Sequence, residues 1–222
     1  MTSIRVINFD AGPAPKRSLD LFPNTMRCGI FGPSGCGKTN VLLTLLVYKR
    51  PLKAVYLCSR TASQSKYELL RQLITKHNSG KTGRSKITYK EFTPSTLLTP
   101  EQLQRDSIMI FDDIQAENQD KFATFFMRGR HRNISYFYLA QSYTKIPKKS
   151  GIRENFNYLL IFPQDRINLR QIYTEHIING VTFQQFTDMC ALCWKEKYGF
   201  LTVDLDNNCK FRVCFGQQIH LS

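Results

Sequence analysis

Along the chain, short apolar runs alternate with stretches of helical period. Met26 to Phe31, apolar apart from Arg27, predicts a strand. Thr39 to Tyr48 places Val41, Leu42, Leu45 and Leu46 on one helical face. Val55 to Cys58 predicts a second strand, and Tyr67 to Thr75 a helix with Leu69, Leu70, Leu73 and Ile74 inward. Further strands are expected at Ile87 to Phe92, Ser107 to Asp112, Ile134 to Ala140 and Tyr158 to Phe162. Between them, "TPEQ" (99–102) is a capping box with proline at the first helical position. Gln119 to Arg128 and Leu169 to Ile178 read as helices, the first stopped by Gly129. A second capping box, "TFQQ" (182–185), opens a last helix. Tyr198 to Leu205 and Lys210 to Phe215 predict a hairpin around "DNN" (206–208). Buried strands alternating with helices imply an α/β fold, a mostly parallel sheet flanked by helices, with an antiparallel C-terminal hairpin.

Residues 1–25 carry three prolines between 10 and 24 and read as an N-terminal arm; 26–222 reads as a single domain. An apolar fraction of 42% and a charged fraction of 22% are globular values and argue against disorder. No apolar stretch approaches the roughly 18 residues of a membrane span, and MTSIRVINFD lacks the layout of a signal peptide. An intracellular protein with no membrane partner is expected, its seven cysteines mostly reduced.

Charge sharpens the picture. The net charge of +14 is clustered. Residues 71–90 hold six lysines and arginines plus His77, residues 121–153 hold eight lysines and arginines, and neither stretch holds an acid. Such blocks suit a polyanion, because each neutralised phosphate releases counterions. A merely solvated basic surface is the alternative.

"GPSGCGKT" (32–39) satisfies G-x-x-x-x-G-K-[ST], with an apolar strand before it and a helix after it. Gly32, Gly35 and Gly37 allow backbone N–H groups to converge on phosphate oxygens. Pro33, Ser34, Cys36 and Asn40 complete the expected nucleotide-binding stretch. Lys38 is expected to reach the β- and γ-phosphates of ATP, and Thr39 to ligate Mg²⁺. "GKT" at 80–82 is a decoy, since the required earlier glycine is Thr75. "SIMIFDDI" (107–114) puts Asp112 at a strand's C-terminal end as a second metal-holding acid. Asp113 beside it would orient or deprotonate water. "YFYLAQS" (136–142) brings Gln141 to the same edge, if the two strands are neighbours, as a γ-phosphate sensor. A kinase shares the phosphate loop, but the doubled acid favours hydrolysis, and no N-K-x-D motif supports a GTPase.

"MRGRHRN" (127–133) falls at the opposite sheet edge. Arg130, and after it Arg128, are candidate arginine fingers acting in trans; DNA-phosphate contacts or solvated charges are the alternatives. Cys190, Cys193, Cys209 and Cys214 have a zinc-like order, but their helix and strand settings favour buried thiols.

Taken together, "GIFGPSGCGKT", "SIMIFDDI", "RGRHRN", "FYLAQSYTKIPKKSGIREN" and "YGFLTVDL" resemble the DNA-packaging ATPases of double-stranded DNA viruses. These are the poxvirus-type and virophage-type members of the FtsK–HerA superfamily. The resemblance spans about residues 26 to 205. It implies a RecA-like P-loop NTPase core of the ASCE type and a homo-oligomeric ring. It also implies ATP-driven pumping of double-stranded DNA into a capsid, with capsid or vertex proteins as partners. The setting would be the host cytoplasm or viral factory, with virion association. Many members carry Glu where Asp113 stands. With no appended DNA-binding domain, loops 76–86 and 143–153 are the candidate DNA contacts.

Overall fold

Each central strand sends its side chains alternately into two apolar cores. In β1 (Arg27–Phe31) Cys28 and Ile30 enter one core and Phe31 the other. In β4 (Ser107–Asp112) Ile108 and Ile110 oppose Met109 and Phe111, and in β5 (Ser135–Ala140) Phe137 and Leu139 oppose Tyr136 and Tyr138. Burial on both faces explains why these segments read as continuous apolar runs rather than alternating ones. The computed structural model describes residues 22–23, 25–48, 52–60, 65–128, 132–177, 180–206 and 210–219. Most of the predicted arm 1–25 lies outside the described residues. At its end the Phe22 ring packs 5.4 Å from Phe215 and 6.1 Å from Tyr158.

The remaining strands are β2 (Ala54–Ser59), β3 (Thr88–Phe92), β6 (Tyr158–Ile161), β7 (Leu201–Asp204), β8 (Lys210–Val213) and β9 (Gln218–Ile219). The sheet order is β3-β2-β4-β5-β1-β6-β7-β8-β9. Pairing is parallel from β3 to β6 and antiparallel from β6 to β9. The mostly parallel sheet and the terminal hairpin are therefore as expected; two-residue β9 is too short to carry a period.

Helices α1 (Lys38–Tyr48) and α2 (Ser65–Asn78) cover one face. Leu43 joins Val41, Leu42 and Leu45 among the fully buried residues of α1, while Leu46 is only partly buried. Helices α3 (Asp120–Arg128), α4 (Arg166–Ile172) and α5 (Phe183–Cys193) cover the other. The Thr182–Gln185 capping box forms as predicted. "TPEQ" closes only a 3₁₀ turn, Pro100–Gln102, because Leu103 is already buried and β4 starts soon after.

The predicted helix 169–178 differs more. Asp165 caps α4 by accepting the Asn168 N–H at 2.8 Å, and the helix then widens into a π turn, Tyr173–Ile177. The wider turn brings Glu175 and His176 onto the segment after β5. Arg153 Nη1 donates to Glu175 Oε1 at 3.0 Å, Arg153 Nη2 to Thr144 O at 2.9 Å, and the guanidinium lies 4.6 Å from the Tyr143 ring centroid. The Tyr143 hydroxyl donates to Glu175, and His176 Nε2 lies 2.9 Å from that hydroxyl. Segment 143–153 is thus nailed down by buried Tyr143, Ile146, Ile152 and Arg153, while Lys145, Lys148 and Lys149 stay exposed.

This cluster fixes the acid response. Burial holds His176 neutral, with its pKa lowered to about 4. Burial also opposes charge on Glu175, but bonds from Tyr143, Gln171 and Arg153 outweigh it and hold the carboxyl below its usual range. Both groups bind protons more readily in the unfolded chain, so both stabilise the fold near neutral pH and lose that contribution on acidification. Urea unfolding should show stability falling from about pH 6.5 downward, and His176→Gln should flatten the upper part of that slope. Arg153→Ala, which strands Glu175, should cost about 3–5 kcal/mol at neutral pH.

Candidate active site

The parallel register decides which residues meet. Asp112 pairs with Leu139, and Phe31 pairs with Ala140, so β5 separates the acid-bearing strand from the strand that feeds the glycine loop. Gln141 stands two positions beyond the partner of Asp112. All three strand ends open on the same sheet edge, where α/β sheets bind ligands. A cleft of about 260 Å³ lies there, lined by Ser34, Gly35, Gly37, Lys38, Thr39, Asp112, Asp113, Gln115, Leu139, Ala140 and Gln141. Gly32, Pro33, Cys36 and Asn40 of the predicted nucleotide-binding stretch do not line it.

The loop owes its curl to Gly35 and Gly37, at φ 75° and 103°, conformations that side chains disfavour. It is tied to β5 by the Gly32 N–H, which donates to Ala140 O at 3.1 Å. α1 then begins at Lys38, aiming its N-terminal N–H groups at the cleft. Lys38 Nζ donates to Gly32 O at 2.6 Å and to Pro33 O at 2.8 Å. The ammonium therefore rests on the loop's own carbonyls. Burial lowers the Lys38 pKa, opposed by Cys36 and Asp112.

Asp112 is half-buried, and burial pushes its carboxyl up against the opposing pull of Tyr67 and Lys38. Tyr67, fully buried in α2, donates its hydroxyl to Asp112 Oδ2 at 2.7 Å. Sequence reasoning missed this partner, because a tyrosine in an apolar helical run reads as core. Asp113 is exposed, with φ 56°, a left-handed turn that Asp tolerates better than most residues. The turn sends the chain to Ile114 and away from the strand. Gln119 secures residues 114–117: its amide donates to Ile114 O at 2.7 Å and Glu117 O at 2.9 Å, and its Oε1 accepts from the Tyr138 hydroxyl at 2.7 Å.

Gln141 is exposed at the cleft, its carbonyl accepting from Gln164 Nε2 at 3.0 Å. Buried Asn168 holds the next residues through Oδ1, which accepts from Ser142 Oγ at 2.8 Å and Thr144 N at 2.9 Å. Neither Gln164 nor Asn168 carries a local sequence signal for this role.

Arg128 does not line this cleft. Arg130, with Gly129 and His131, lies outside the described residues. Arg128 ends α3, 70% exposed, with Nη1 3.6 Å from Glu101 Oε1. Glu101 belongs to the turn before β4, which puts Arg128 at the sheet edge opposite the cleft. Cys190 and Cys193 are buried free thiols, and burial raises Cys193 to about 12, unlike a metal-binding thiolate. Cys214 is free and half-buried, and Cys209 lies outside the described residues.

Known folds match this arrangement. The genome packaging NTPase B204 of Sulfolobus turreted icosahedral virus 2, solved with ATP-gammaS, superposes with a TM-score of 0.55 at 10% identity, covering 90% of this chain and 100% of that one. B204 of Sulfolobus turreted icosahedral virus, a DNA-packaging ATPase, gives 0.57 at 13% identity over 89% and 99%. EssC (ATPases 2 and 3) of Geobacillus thermodenitrificans gives 0.51 at 12% identity, over 88% of this chain and 41% of that one. These likenesses show a fold shared with this chain. A comparison with curated proteins finds no match. The model of the Poxvirus A32 protein family matches residues 16–215. That span takes in the glycine loop, both acids and Gln141, and the chain belongs to the Poxvirus A32 protein family, the viral genome-packaging ATPases.

Proposed function

We infer that this protein is an ATP-driven motor that moves viral double-stranded DNA into a preformed capsid. The observation that carries the reading is one cleft where a phosphate loop, a strand-end acid pair and a neighbouring strand-end glutamine converge, in a chain of net charge +14. An acid pair beside the phosphates suits water as acceptor, and the basic surface suits a phosphate-backbone substrate.

In this reading the N–H groups from Ser34 to Lys38 hold the β- and γ-phosphates, and Lys38 exchanges the carbonyls of Gly32 and Pro33 for phosphate oxygens. Gln141 orients the attacking water by its amide. Asp113 accepts the water's proton as the new oxygen–phosphorus bond forms and the bond to the β–γ bridging oxygen breaks. The donor set fits Mg²⁺. Thr39 and Asp112 offer hard oxygens, and among the described residues no group of three or more His, Cys, Asp or Glu is placed to hold a metal by itself. Mg²⁺ takes few protein ligands and completes its shell with water and phosphate oxygens. Bound between Thr39 and Asp112, it would neutralise charge on the phosphates.

Exposed Lys86, Lys145, Lys148 and Lys149 are the DNA contacts of this reading, without base readout. Arg128, at the edge away from the cleft, serves with Arg130 as the finger that reaches the cleft of the next subunit in a ring. The Arg128–Glu101 pair is exposed and weak, so it yields readily to a phosphate. Among the described residues no helix is long and apolar enough to cross a membrane. Capsid or vertex proteins are the further partners, met in the cytoplasm or viral factory, with residues 26–222 acting as one motor domain.

Turnover of ATP should rise severalfold on adding double-stranded DNA and lose that stimulation from about 50 to about 200 mM salt. A phosphorylated small product in place of free phosphate would overturn the motor reading. Asp112→Ala should abolish Mg²⁺-dependent hydrolysis, and Tyr67→Phe should lower it about tenfold by loosening the carboxylate, with circular dichroism unchanged in both. In mixed rings, Arg130→Ala subunits combined with Lys38→Ala subunits should recover part of the hydrolysis that each lacks alone. Assembled rings without recovery would remove the trans finger.

A further inference from the structure

Tyr198 stands at the rim of the phosphate loop, outside the cleft and on its far side from Asp112. The residue is 56% exposed, although Phe162, Phe200 and Phe215 nearby are buried, packed tilted or edge to face with centroids 5.0 and 5.1 Å apart. Its φ is 65°, rare for an aromatic residue. The turn that imposes this is rigid. A Cβ on Gly199 would lie 1.9 Å from Cys193 O, and the Gly199 N–H donates to Glu196 O at 2.9 Å. Trp194 Nε1 anchors the same turn to the end of β6, donating to Ile161 O at 3.0 Å. The result is an aromatic ring held against the phosphate loop: a Cβ on Gly37 would sit 3.6 Å from Tyr198 Cδ1.

The sheet register gives this position its meaning. Ile161 pairs with Leu201, so the turn lies at the same sheet edge as the cleft, on the β6 side of the loop. Asp112 and Gln141 lie on the β4–β5 side. A nucleotide with its terminal phosphate beside Asp112 would have to cross the loop toward β6 to place its base there. The cleft, at about 260 Å³, falls short of the roughly 300–1,000 Å³ of pockets that enclose a whole ligand. It takes the phosphates, and the base must rest on the rim.

We propose that Tyr198 is the nucleobase platform of this site, stacking the base of a bound nucleotide on its exposed ring. Lys197 Nζ lies 5.1 Å from the ring centroid, and the base takes the other face. Stacking reads a flat aromatic face and needs no polar group at the base edge. The proposal rests on the reading of the cleft as a nucleotide-phosphate site, and the test separates the two. By calorimetry on the full chain, ADP and inorganic pyrophosphate report the site with and without the nucleoside. Tyr198→Ala should weaken ADP about tenfold or more and leave pyrophosphate unchanged, whereas Tyr198→Phe should keep both within about twofold of the parent. ADP affinity unchanged in Tyr198→Ala, or ADP and pyrophosphate weakened equally, would overturn the platform alone. A parent protein that binds neither ligand would overturn the phosphate site and the platform with it.

Discussion

Everything in the candidate cleft depends on the parallel insertion of β5 between β4 and β1. These strands are buried on both faces, so chemistry has no place along their length and collects at their ends. Each alternates side chains between two separate cores, and a slip of one residue would exchange the cores. The register is therefore held by packing, and with it the positions of Asp112 opposite Leu139 and Ala140 opposite Phe31. The Gly32 N–H to Ala140 bond extends the same constraint into the phosphate loop.

Beyond the strand ends, polar side chains do the positioning. Gln119 and Tyr138 hold the chain after Asp113, and Asn168 holds the chain after Gln141. Tyr143, Arg153, Glu175 and His176 hold the adjoining basic segment. Each of these groups is substantially buried and bonded, which suits a role in geometry rather than contact with a ligand. The exposed lysines of 143–153 are carried on a segment whose backbone is fixed from beneath. The antiparallel extension β7–β9 works similarly on the other flank, since it carries the tight turn that holds Tyr198 against the loop.

Local pattern was enough for the strands, for most helices and for the phosphate loop, because apolar runs, caps and the spacing of glycines are properties of neighbouring residues. Asp112, Asp113 and Gln141 were legible as strand-end polar groups after apolar runs. That they share one cleft was not, since it requires β5 beside β4, a pairing between segments more than twenty residues apart. The π turn after α4 was read as plain helix, because the partners it meets, Tyr143 and Arg153, are distant in sequence. Tyr67 was legible only as the start of a helix, and only the packing of α2 on the sheet turned its hydroxyl to Asp112. The sequence by itself determined a glycine loop and its lysine at the start of a helix, because that pattern lies within a few residues. Tertiary structure alone decided which acid and amide share a cleft with that loop, because those groups meet only through sheet register and packing across the fold.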